Sequence, residues 1–199
     1  AVVLLITISM VVPFIWMLSA SFKTNLEVFE FPIRWIPETI HFENYTNVWD
    51  VANYPRMFLN TVKLTVIITV LQILTSTLAA YAFSKIYFPE RNVLFLTYLA
   101  TLMVPYQVVM IPQFSIIRQM GLTNTHLALI MIQAFTPMGV FLIKQFFDGI
   151  PDELIEAARI DGLSEFGIYS KMMLPLSKSA IVSLAILTIT ATWNDFWLR

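Results

Sequence analysis

Five long apolar runs free of charged residues divide the chain. Lys, Arg, Asp and Glu are absent from residues 1–22, 64–84, 92–117, 119–143 and, over a shorter length, 179–194. A helix needs about 20 mostly apolar residues to cross the hydrocarbon core of a bilayer. The alternative, a soluble protein with buried helices, normally has shorter runs bounded by amphipathic helices. The pattern therefore predicts an all-α polytopic membrane protein.

Two long polar segments lie between the apolar runs, at residues 23–57 and 148–178. We place spans at about residues 1–22, 58–84, 92–117 and 125–147, with a fifth from about Ser179 to the end at Arg199. Residues 23–57 carry eight charged and seven aromatic side chains, so this loop cannot span, and its Trp and Tyr residues suit the headgroup level. Residues 148–178, which we call the hook, carry nine charged side chains. The hook is the most highly charged segment between two spans.

Composition narrows the function classes. The chain is 58% hydrophobic and 13% charged, whereas globular domains average about 25% charged. The net charge of −1 and the lack of a basic run give no support to a nucleic-acid partner. There are no cysteines, and His41 and His126 lie far apart, so neither a disulfide nor a metal or other cofactor is expected. The first span is longer than the 7–15-residue core of a signal peptide, which predicts an anchor.

The hook pattern predicts two short helices around a glycine turn. Pro151 can occupy the first helical turn, where its missing N–H costs nothing. One helical face then carries residues at i, i+3, i+4, i+7 spacing, which are Leu154, Ala157, Ala158 and Asp161, so it presents a leucine and two methyl groups. Gly162 is expected as the left-handed residue that ends this helix. Ser164 is the predicted N-cap of a second helix to about Lys171, and Pro175 closes the segment.

The hook also resembles the signature loop of the permeases of ATP-binding-cassette importers, E-A-A-x3-G-x9-I-x-L-P. The matching residues are Glu156, Ala157, Ala158, Gly162, Leu174 and Pro175. Met172 stands where the family usually has Ile, a change that conserves volume and apolarity. E-A-A alone is weak evidence and fits a solvated loop, but the joint match at fixed offsets between two spans favours the family. The resemblance implies that these residues, with Asp161, couple the chain to an ATPase.

The resemblance covers essentially all 199 residues. Aromatic-rich segments are similar to the shorter subunit of maltose-type carbohydrate permeases, at residues 21–24, 35–37, 42–45, 58–61 and 193–196. The likeness implies a MetI-like type I importer fold of about six spans, five of which fall in this sequence. It divides the chain into a first helix at 1–22, an extracytoplasmic loop at 23–57, and a transporter domain at 58–199. That domain would be truncated at its C-terminus, and the coupling loop would be 148–178.

The same resemblance implies the partners and the location. Such a permease sits in the lipid bilayer of a bacterial cytoplasmic membrane with a second permease, a cytoplasmic ATPase dimer and an extracytoplasmic solute-binding protein. The sequence has no G-x-x-x-x-G-K-[ST] phosphate loop, so we expect a transport subunit that is not itself an enzyme. Lys and Arg in the loops give no orientation bias. The cytoplasmic side of the hook is therefore taken from the resemblance.

Polar residues inside the spans are candidate contacts for cargo. Five lie on one face of the second span: Thr61, Thr65, Thr69, Gln72 and Ser76. Ser and Thr at such depth commonly bond neighbouring helices. The larger amides Gln72, Gln133 and Asn194 could hydrogen-bond sugar hydroxyls and are the better pathway candidates. Asp195 is ionisable and near a span end, which fits either a salt bridge or a pathway role.

A sugar or small oligosaccharide is the leading hypothesis for the cargo, and three alternatives stay open. The first is a permease of the same class for a polyamine, phosphate or amino acid. The second is an ion-coupled carrier, which would require Gly- or Pro-interrupted half-helices in repeated positions; Pro105 and Pro112 alone do not supply them. The third is an intramembrane enzyme, for which the sequence has no His or acidic cluster at mid-depth.

Overall fold

The computed structural model describes residues 2–51 and 53–195, and every regular element within those ranges is a helix. The predicted all-α class is confirmed. Residues 1 and 196–199, at the ends of the predicted first and fifth spans, lie outside the described residues, as does residue 52. The chain divides into two compact units, residues 1–58 and 59–199, which are described separately.

The first unit contains three helices and the first residues of a fourth. They are α1 (Val2–Ser21), α2 (Asn25–Val28) and α3 (Glu43–Val51). At a rise of 1.5 Å per residue, the 20 residues of α1 extend over about 30 Å, and Ile6–Ser21 within it is an apolar stretch shorter than a span requires. Pro13 lies inside this helix. The predicted polar loop that follows therefore contains two short helices.

The segment after α1 is tied to the end of that helix. Asn44 Nδ2 donates to the backbone carbonyls of Ser21, at 3.0 Å, and of Lys23, at 2.8 Å. Lys23 is buried; its ammonium donates to the carbonyl of Arg34 and lies 4.5 Å from the centre of the Trp16 ring. Carbonyls at a helix end have no partner within the helix. Asn44 satisfies the carbonyl of Ser21 at the end of α1, and the other two contacts hold the loop against this helix end.

The longest helix is α4 (Tyr54–Lys85), which covers the predicted second span. Its 32 residues extend over about 48 Å, well beyond the roughly 30 Å of a hydrocarbon core. Among the described residues, it is the one uninterrupted helix both long and apolar enough to cross a membrane. Three further crossings would each require a bent pair of helices.

The predicted third span consists of two helices. α5 (Arg91–Ala100) continues into a 3-10 turn (Thr101–Met103), and α6 (Tyr106–Gln119) leaves it at 100°. Val104 at the break has φ −82° and ψ 116°, the extended conformation that a residue before proline prefers. The predicted span over 92–117 is therefore bent in the structure, because Pro105 starts a new direction.

The predicted fourth span is also interrupted. α7 (His126–Gln133) and α8 (Pro137–Asp148) meet at 42°. Thr136, directly before Pro137, is again extended, with φ −135° and ψ 115°. Its hydroxyl accepts from the N–H of Gly139 at 3.4 Å and caps α8.

The helix breaks lie at Pro105 and Pro137. The case against an ion-coupled carrier named Pro105 and Pro112 as the candidate interruptions, and it depended on the lack of half-helices in repeated positions and of charges at mid-membrane depth. Pro112, which we had considered as a second break, lies inside α6. Broken helices in a membrane need nearby groups to satisfy the freed backbone, and such groups are present at the second break, as shown below.

The hook and the last helix complete the second unit. The hook contains α9 (Asp152–Ile160) and a continuous helix Glu165–Leu176. That helix is made of α10 (Glu165–Ile168), a π-helical turn (Tyr169–Met173) and α11 (Leu174–Leu176), and α12 (Lys178–Trp193) leaves it at 76°. The second hook helix is thus longer than predicted and ends at Leu176 instead of near Lys171.

The core of the second unit forms where α4, α8, the hook and α12 meet. Its fully buried side chains include Ile143, Phe147, Ile168 and Met173. Gly139 lies at the closest approach of these helices. A Cβ there would be 2.5 Å from Ser76 Oγ, 2.6 Å from Thr136 Cγ2 and 3.1 Å from Leu184 Cδ1. Glycine is the one residue that fits this junction without moving a neighbour.

Candidate functional site: the hook and the mid-span amides

The glycine turn of the hook has the predicted conformation. Gly162 has φ +82°. Its N–H donates to the carbonyl of Arg159 at 3.0 Å, and the N–H of Leu163 donates to that of Ala158 at 3.0 Å. This pair of bonds is the Schellman motif, in which a left-handed residue closes a helix. The turn is therefore a fixed knuckle between α9 and α10.

The ends of the two hook helices match the sequence only in part. Ser164 Oγ accepts from the N–H of Gly167 at 3.2 Å, so the predicted N-cap is confirmed. Pro151 has ψ 136° and precedes the helix. The expectation that Pro151 lies in the first helical turn was wrong. Its ψ is outside the helical region, so Pro151 is the N-cap and the helix begins at Asp152. Asp152 and Glu153 occupy the first turn, where the helix dipole favours negative charge.

The exposed face of α9 differs from the predicted one. Ala158 is buried with Ile155 against the core, so it does not belong to an outward small-residue face. Exposed within this chain are Leu154, Glu156, Ala157 and Asp161. Ile160 is 86% exposed and Phe166 is 70% exposed. The outward surface of the knuckle is thus a small residue flanked by large apolar ones.

The remaining signature residues lie at the end of the hook. Leu174 is half-buried and packs against the core, and Pro175 is exposed in the last turn of the second hook helix. Neither reaches the outward face of α9 in the contacts described. Within this chain they fix how the hook joins α12.

A row of side chains on α4 holds the hook. Thr77, Tyr81, Ser84 and Lys85 follow i, i+4, i+7, i+8 spacing, which is one helical face. Thr77 Oγ1 lies 2.8 Å from the hydroxyl of Tyr169, and the hydroxyl of Tyr81 donates to Glu165 Oε2 at 2.6 Å. Ser84 Oγ donates to Asp148 Oδ1 at 2.6 Å. We call these four residues the α4 row.

Lys85 supplies the last contact of the α4 row. Its side chain is only 4% exposed, and its ammonium donates to the carbonyl of Ile150 and to Asp152 Oδ1, each at 2.6 Å. The Lys85 ammonium holds the pKa of the Asp152 carboxyl below its usual range, by hydrogen bonding and by charge. Asp152 is 78% exposed, so water competes for this pair and its contribution to stability is small.

Glu165 joins both hook helices to α4. Its Oε1 accepts from Arg159 Nε at 2.8 Å, while its Oε2 accepts from the Tyr81 hydroxyl. The Arg159 hydrogen bond is the largest cause that lowers the pKa of Glu165, followed by the Tyr81 hydrogen bond. The same carboxylate raises the pKa of Arg159. The carboxylate is therefore ionised at neutral pH and bridges three helices.

Sequence reasoning missed the α4 row, Glu165 and Tyr169. Lys85 carried a signal, since it is the first charge after a 21-residue apolar run. Tyr81 and Thr77 carried none, because an aromatic and a hydroxyl residue in an apolar helix are common. Their partners could be found only once the hook was folded back against α4.

The structure brings three of the four candidate pathway residues together at the break between α7 and α8. Gln72 Nε2 donates to the carbonyl of Gln133 at 2.7 Å, and Gln133 Nε2 donates to Asp195 Oδ2 at 2.9 Å. Gln72 Oε1 accepts from Thr188 Oγ1 at 2.9 Å. In a continuous helix the carbonyl of Gln133 would accept from the N–H of residue 137, which a proline lacks. Gln72 supplies the missing donor.

Thr75 bonds beside Gln72 at the break, whereas Asn194 bonds within its own helix. Thr75 Oγ1 donates to the carbonyl of Ala134 at 2.8 Å, beside the Gln72 contact. Asn194, the fourth candidate, is exposed, and its Nδ2 donates to the carbonyl of Thr190 in its own helix at 2.8 Å. Gln72 and Thr75 thus close a helix break, while Asn194 points away from this chain's own core.

The described residues contain no group of three or more His, Asp or Glu side chains arranged to hold a metal ion. The chemistry available at the hook is surface contact through apolar side chains, and at the break it is hydrogen bonding through amides. Neither arrangement has the nucleophile and base pair of a catalytic site.

The profile of one family, described as the binding-protein-dependent transport system inner membrane component, matches residues 72–198. The matched region contains the hook, the α4 row, and Gln72, Gln133 and Asp195. The chain belongs to this family of transport permeases. The resemblance inferred from the hook signature is therefore confirmed.

Named relatives agree with this assignment. The chain is 36% identical to the arabinooligosaccharides transport system permease protein AraQ of Halalkalibacterium halodurans, over 94% of this chain and 68% of the relative. It is 33% identical to the diacetylchitobiose uptake system permease protein NgcG of Streptomyces coelicolor, over 100% of this chain and 66% of the relative. The chain thus spans about two thirds of the length of these relatives.

A solved structure shows the same fold. It is the crystal structure of a bacterial transporter of the ATP-binding-cassette class involved in the import of the acidic polysaccharide alginate. The TM-score is 0.89 at 26% identity, over 98% of this chain and 70% of the solved chain. The predicted MetI-like importer permease fold is confirmed.

Proposed function

We propose that this chain is part of a permease subunit that imports a sugar or small oligosaccharide across the cytoplasmic membrane. A separate ATPase drives transport by alternating access. The observation that carries the proposal is the hook: a rigid glycine-closed knuckle with an exposed apolar face, held to a membrane helix by hydrogen bonds. A knuckle of this kind can receive movement from a partner in the aqueous phase and pass it to the spans.

The partners follow from this mechanism. An ATPase dimer contacts the hook, a second permease completes the pathway, and an extracytoplasmic binding protein delivers cargo. The hook then faces the cytoplasm and residues 23–57 face outside. The exposed side chains Leu154, Ala157, Ile160 and Phe166 are the contact surface for the ATPase. Such apolar anchors typically contribute most of the binding free energy of an interface.

The cargo proposal is supported by two relatives named for oligosaccharide transport and by the exposed amide of Asn194. This amide donates and accepts hydrogen bonds, as neutral sugar hydroxyls require. Asp195 is the single acidic candidate, and it accepts from Gln133. That arrangement favours a neutral solute over a polycation.

Two substitutions test the hook. Ala157→Asp places a charge on the apolar face, and we expect loss of ATPase co-purification, with Ala157→Ser as the small neutral control. Gly162→Val strains the left-handed turn, where a β-branched residue costs about 1 kcal/mol or more, so hydrolysis should continue with little transport. Gly162→Asn tolerates that conformation and should retain function.

Both experiments use the full-length protein with its ATPase, sister permease and binding protein, reconstituted in vesicles. Wild-type transport and ATPase binding by Ala157→Asp and Gly162→Val would overturn the role of the hook. Cargo is tested separately by uptake of labelled arabinooligosaccharide and diacetylchitobiose against an amino acid and a polyamine. Uptake of the amino acid or polyamine alone would contradict the sugar proposal and leave the permease class in place.

A further inference from the structure

The hook is continuous in sequence with α8 and α12, yet most of its polar anchors lie on α4. Within the described residues, the side chains of Asp148, Asp152, Glu165 and Tyr169 all bond to the α4 row. A second contact of Asp148, with Lys144, lies within a single turn of α8. The second span, which is distant in sequence, is therefore bound to the hook through four side-chain hydrogen bonds.

We propose that Glu165 is a positioning residue that makes α4 move with the hook. Its two carboxylate oxygens accept from Arg159 on α9 and from Tyr81 on α4, so one side chain fixes the angle of the knuckle and its distance from the second span. This inference rests on the proposed function, because it concerns how movement imposed by an ATPase reaches the spans.

The Tyr81–Glu165 hydrogen bond is better protected from water than the Lys85–Asp152 ion pair. The two residues on α4 are similarly buried: Tyr81 is 5% exposed and packs against Phe147, and the Lys85 side chain is 4% exposed. The carboxylates differ, since the side chain of Glu165 is 48% exposed and that of Asp152 is 78% exposed. A charge-assisted hydrogen bond shielded from water is stronger than one that water can replace. Glu165–Tyr81 is therefore the stronger candidate of these two links for holding the hook to α4.

The rigidity of α4 extends this link to the break in the fourth span. Gln72 lies nine residues before Tyr81, about 13 Å along a helix at 1.5 Å per residue. Gln72 holds the carbonyl freed by Pro137 and accepts from Thr188 of α12. A shift of α4 driven through Glu165 would thus reach the interrupted helix and the last span together.

The test is the amount of substrate moved per ATP hydrolysed by the reconstituted complex. For Glu165→Ala we expect ATPase co-purification and hydrolysis to persist while this ratio falls about fivefold or more, the usual size of an energetic coupling between sites. Glu165→Gln keeps one acceptor oxygen and should give an intermediate ratio. Tyr81→Phe removes a single oxygen atom and should lower the ratio in the same direction. The double variant Glu165→Ala/Tyr81→Phe should match Glu165→Ala alone, since both changes break one link.

Glu90→Asn is the matched control. It removes an exposed acidic residue from the loop after α4, and Asn tolerates the φ of +62° found there. Glu90→Asn should keep the wild-type ratio. A fall in the ratio equal to that of Glu165→Ala would mean that loss of negative charge, and not the Tyr81 link, is responsible.

A distance measurement gives a second readout in the same complex. The sequence has no cysteine, so spin labels can be placed by Lys171→Cys on the hook and Tyr87→Cys beyond the end of α4, both exposed. Glu165→Ala should broaden the distance distribution between the labels, and Glu90→Asn should not.

Three results would overturn the inference. They are an unchanged transport ratio in Glu165→Ala, an unchanged distance distribution, and loss of ATPase binding in Tyr81→Phe, which would make the contact a docking requirement. If the wild-type complex itself neither binds an ATPase nor transports, the proposed function fails instead. The two failures are therefore distinguishable.

Discussion

Replacing Gly139 by alanine tests the packing of the second unit more directly than any other single change. The added methyl would lie 2.5 Å from Ser76 Oγ and 2.6 Å from Thr136 Cγ2, both below any normal contact distance, and 3.1 Å from Leu184 Cδ1. These atoms belong to α4, the Pro137 break and α12. The neighbours must therefore shift, and overpacking of this kind typically costs about 1–3 kcal/mol.

The assay is thermal unfolding of the purified protein, and we expect a fall in Tm of roughly 2–12 °C for a chain of this size. Gly149→Ala is the matched control, because its methyl would meet nothing closer than the carbonyl of Phe146 at 3.4 Å. Ser76→Ala should be neutral or stabilising by itself, since Ser76 Oγ is buried and no partner for it is found among the described residues.

The double variant Gly139→Ala/Ser76→Ala should recover part of the lost stability, because it removes the nearest of the three clashing atoms. Recovery should be partial, since Thr136 Cγ2 stays in place. A Gly139→Ala protein with the Tm of the wild type would refute the close approach of α4, α8 and α12. Helix propensity alone favours Ala over Gly and would raise the Tm of either variant, so equal changes in Gly139→Ala and Gly149→Ala would mean that packing is not what the assay measures.

Two further predictions concern topology and the mid-span amides. In intact cells, an impermeant thiol reagent should label Thr46→Cys and leave Lys171→Cys unlabelled; the reverse pattern would invert the proposed orientation. Gln72→Leu should lower the Tm, by up to the roughly 1–3 kcal/mol that a buried unpaired carbonyl costs, since the carbonyl of Gln133 loses its donor in a part-buried site. Asn194→Leu should keep the Tm and alter transport affinity, and equal effects of the two changes would contradict their separate roles.

The sequence predicted what local chemistry controls. Gly162 was identified as left-handed and Ser164 as an N-cap because both roles depend on a few neighbouring residues. The all-helical class followed from run length alone. The sequence carried a signal for the break at Thr136–Pro137, since a residue before proline avoids the helical region. Membrane helices often tolerate proline, however, so this signal alone did not predict whether the helix breaks there.

Long-range placement could not be predicted from a single sequence. The periodicity that grouped Ala158 with Ala157 is the same whichever side of α9 faces the core. The contacts of Ile155 with the buried cluster decided it. Glu165 looked like an ordinary charge in the first turn of a short helix, because its partner Tyr81 is 84 residues earlier.

The position of Gln72 changes what the polar face of the second span means. A side chain that accepts from Thr188 and donates to the carbonyl of Gln133 is already hydrogen-bonded at both ends of its amide. Cargo could use this group only by displacing a bond that holds a proline break closed. We therefore propose Asn194 as the amide best placed for cargo, since it is exposed and bonds only within its own helix among the contacts found. Gln72 instead makes the shape of the fourth span depend on the position of α4, and α4 is the helix to which the hook is bound.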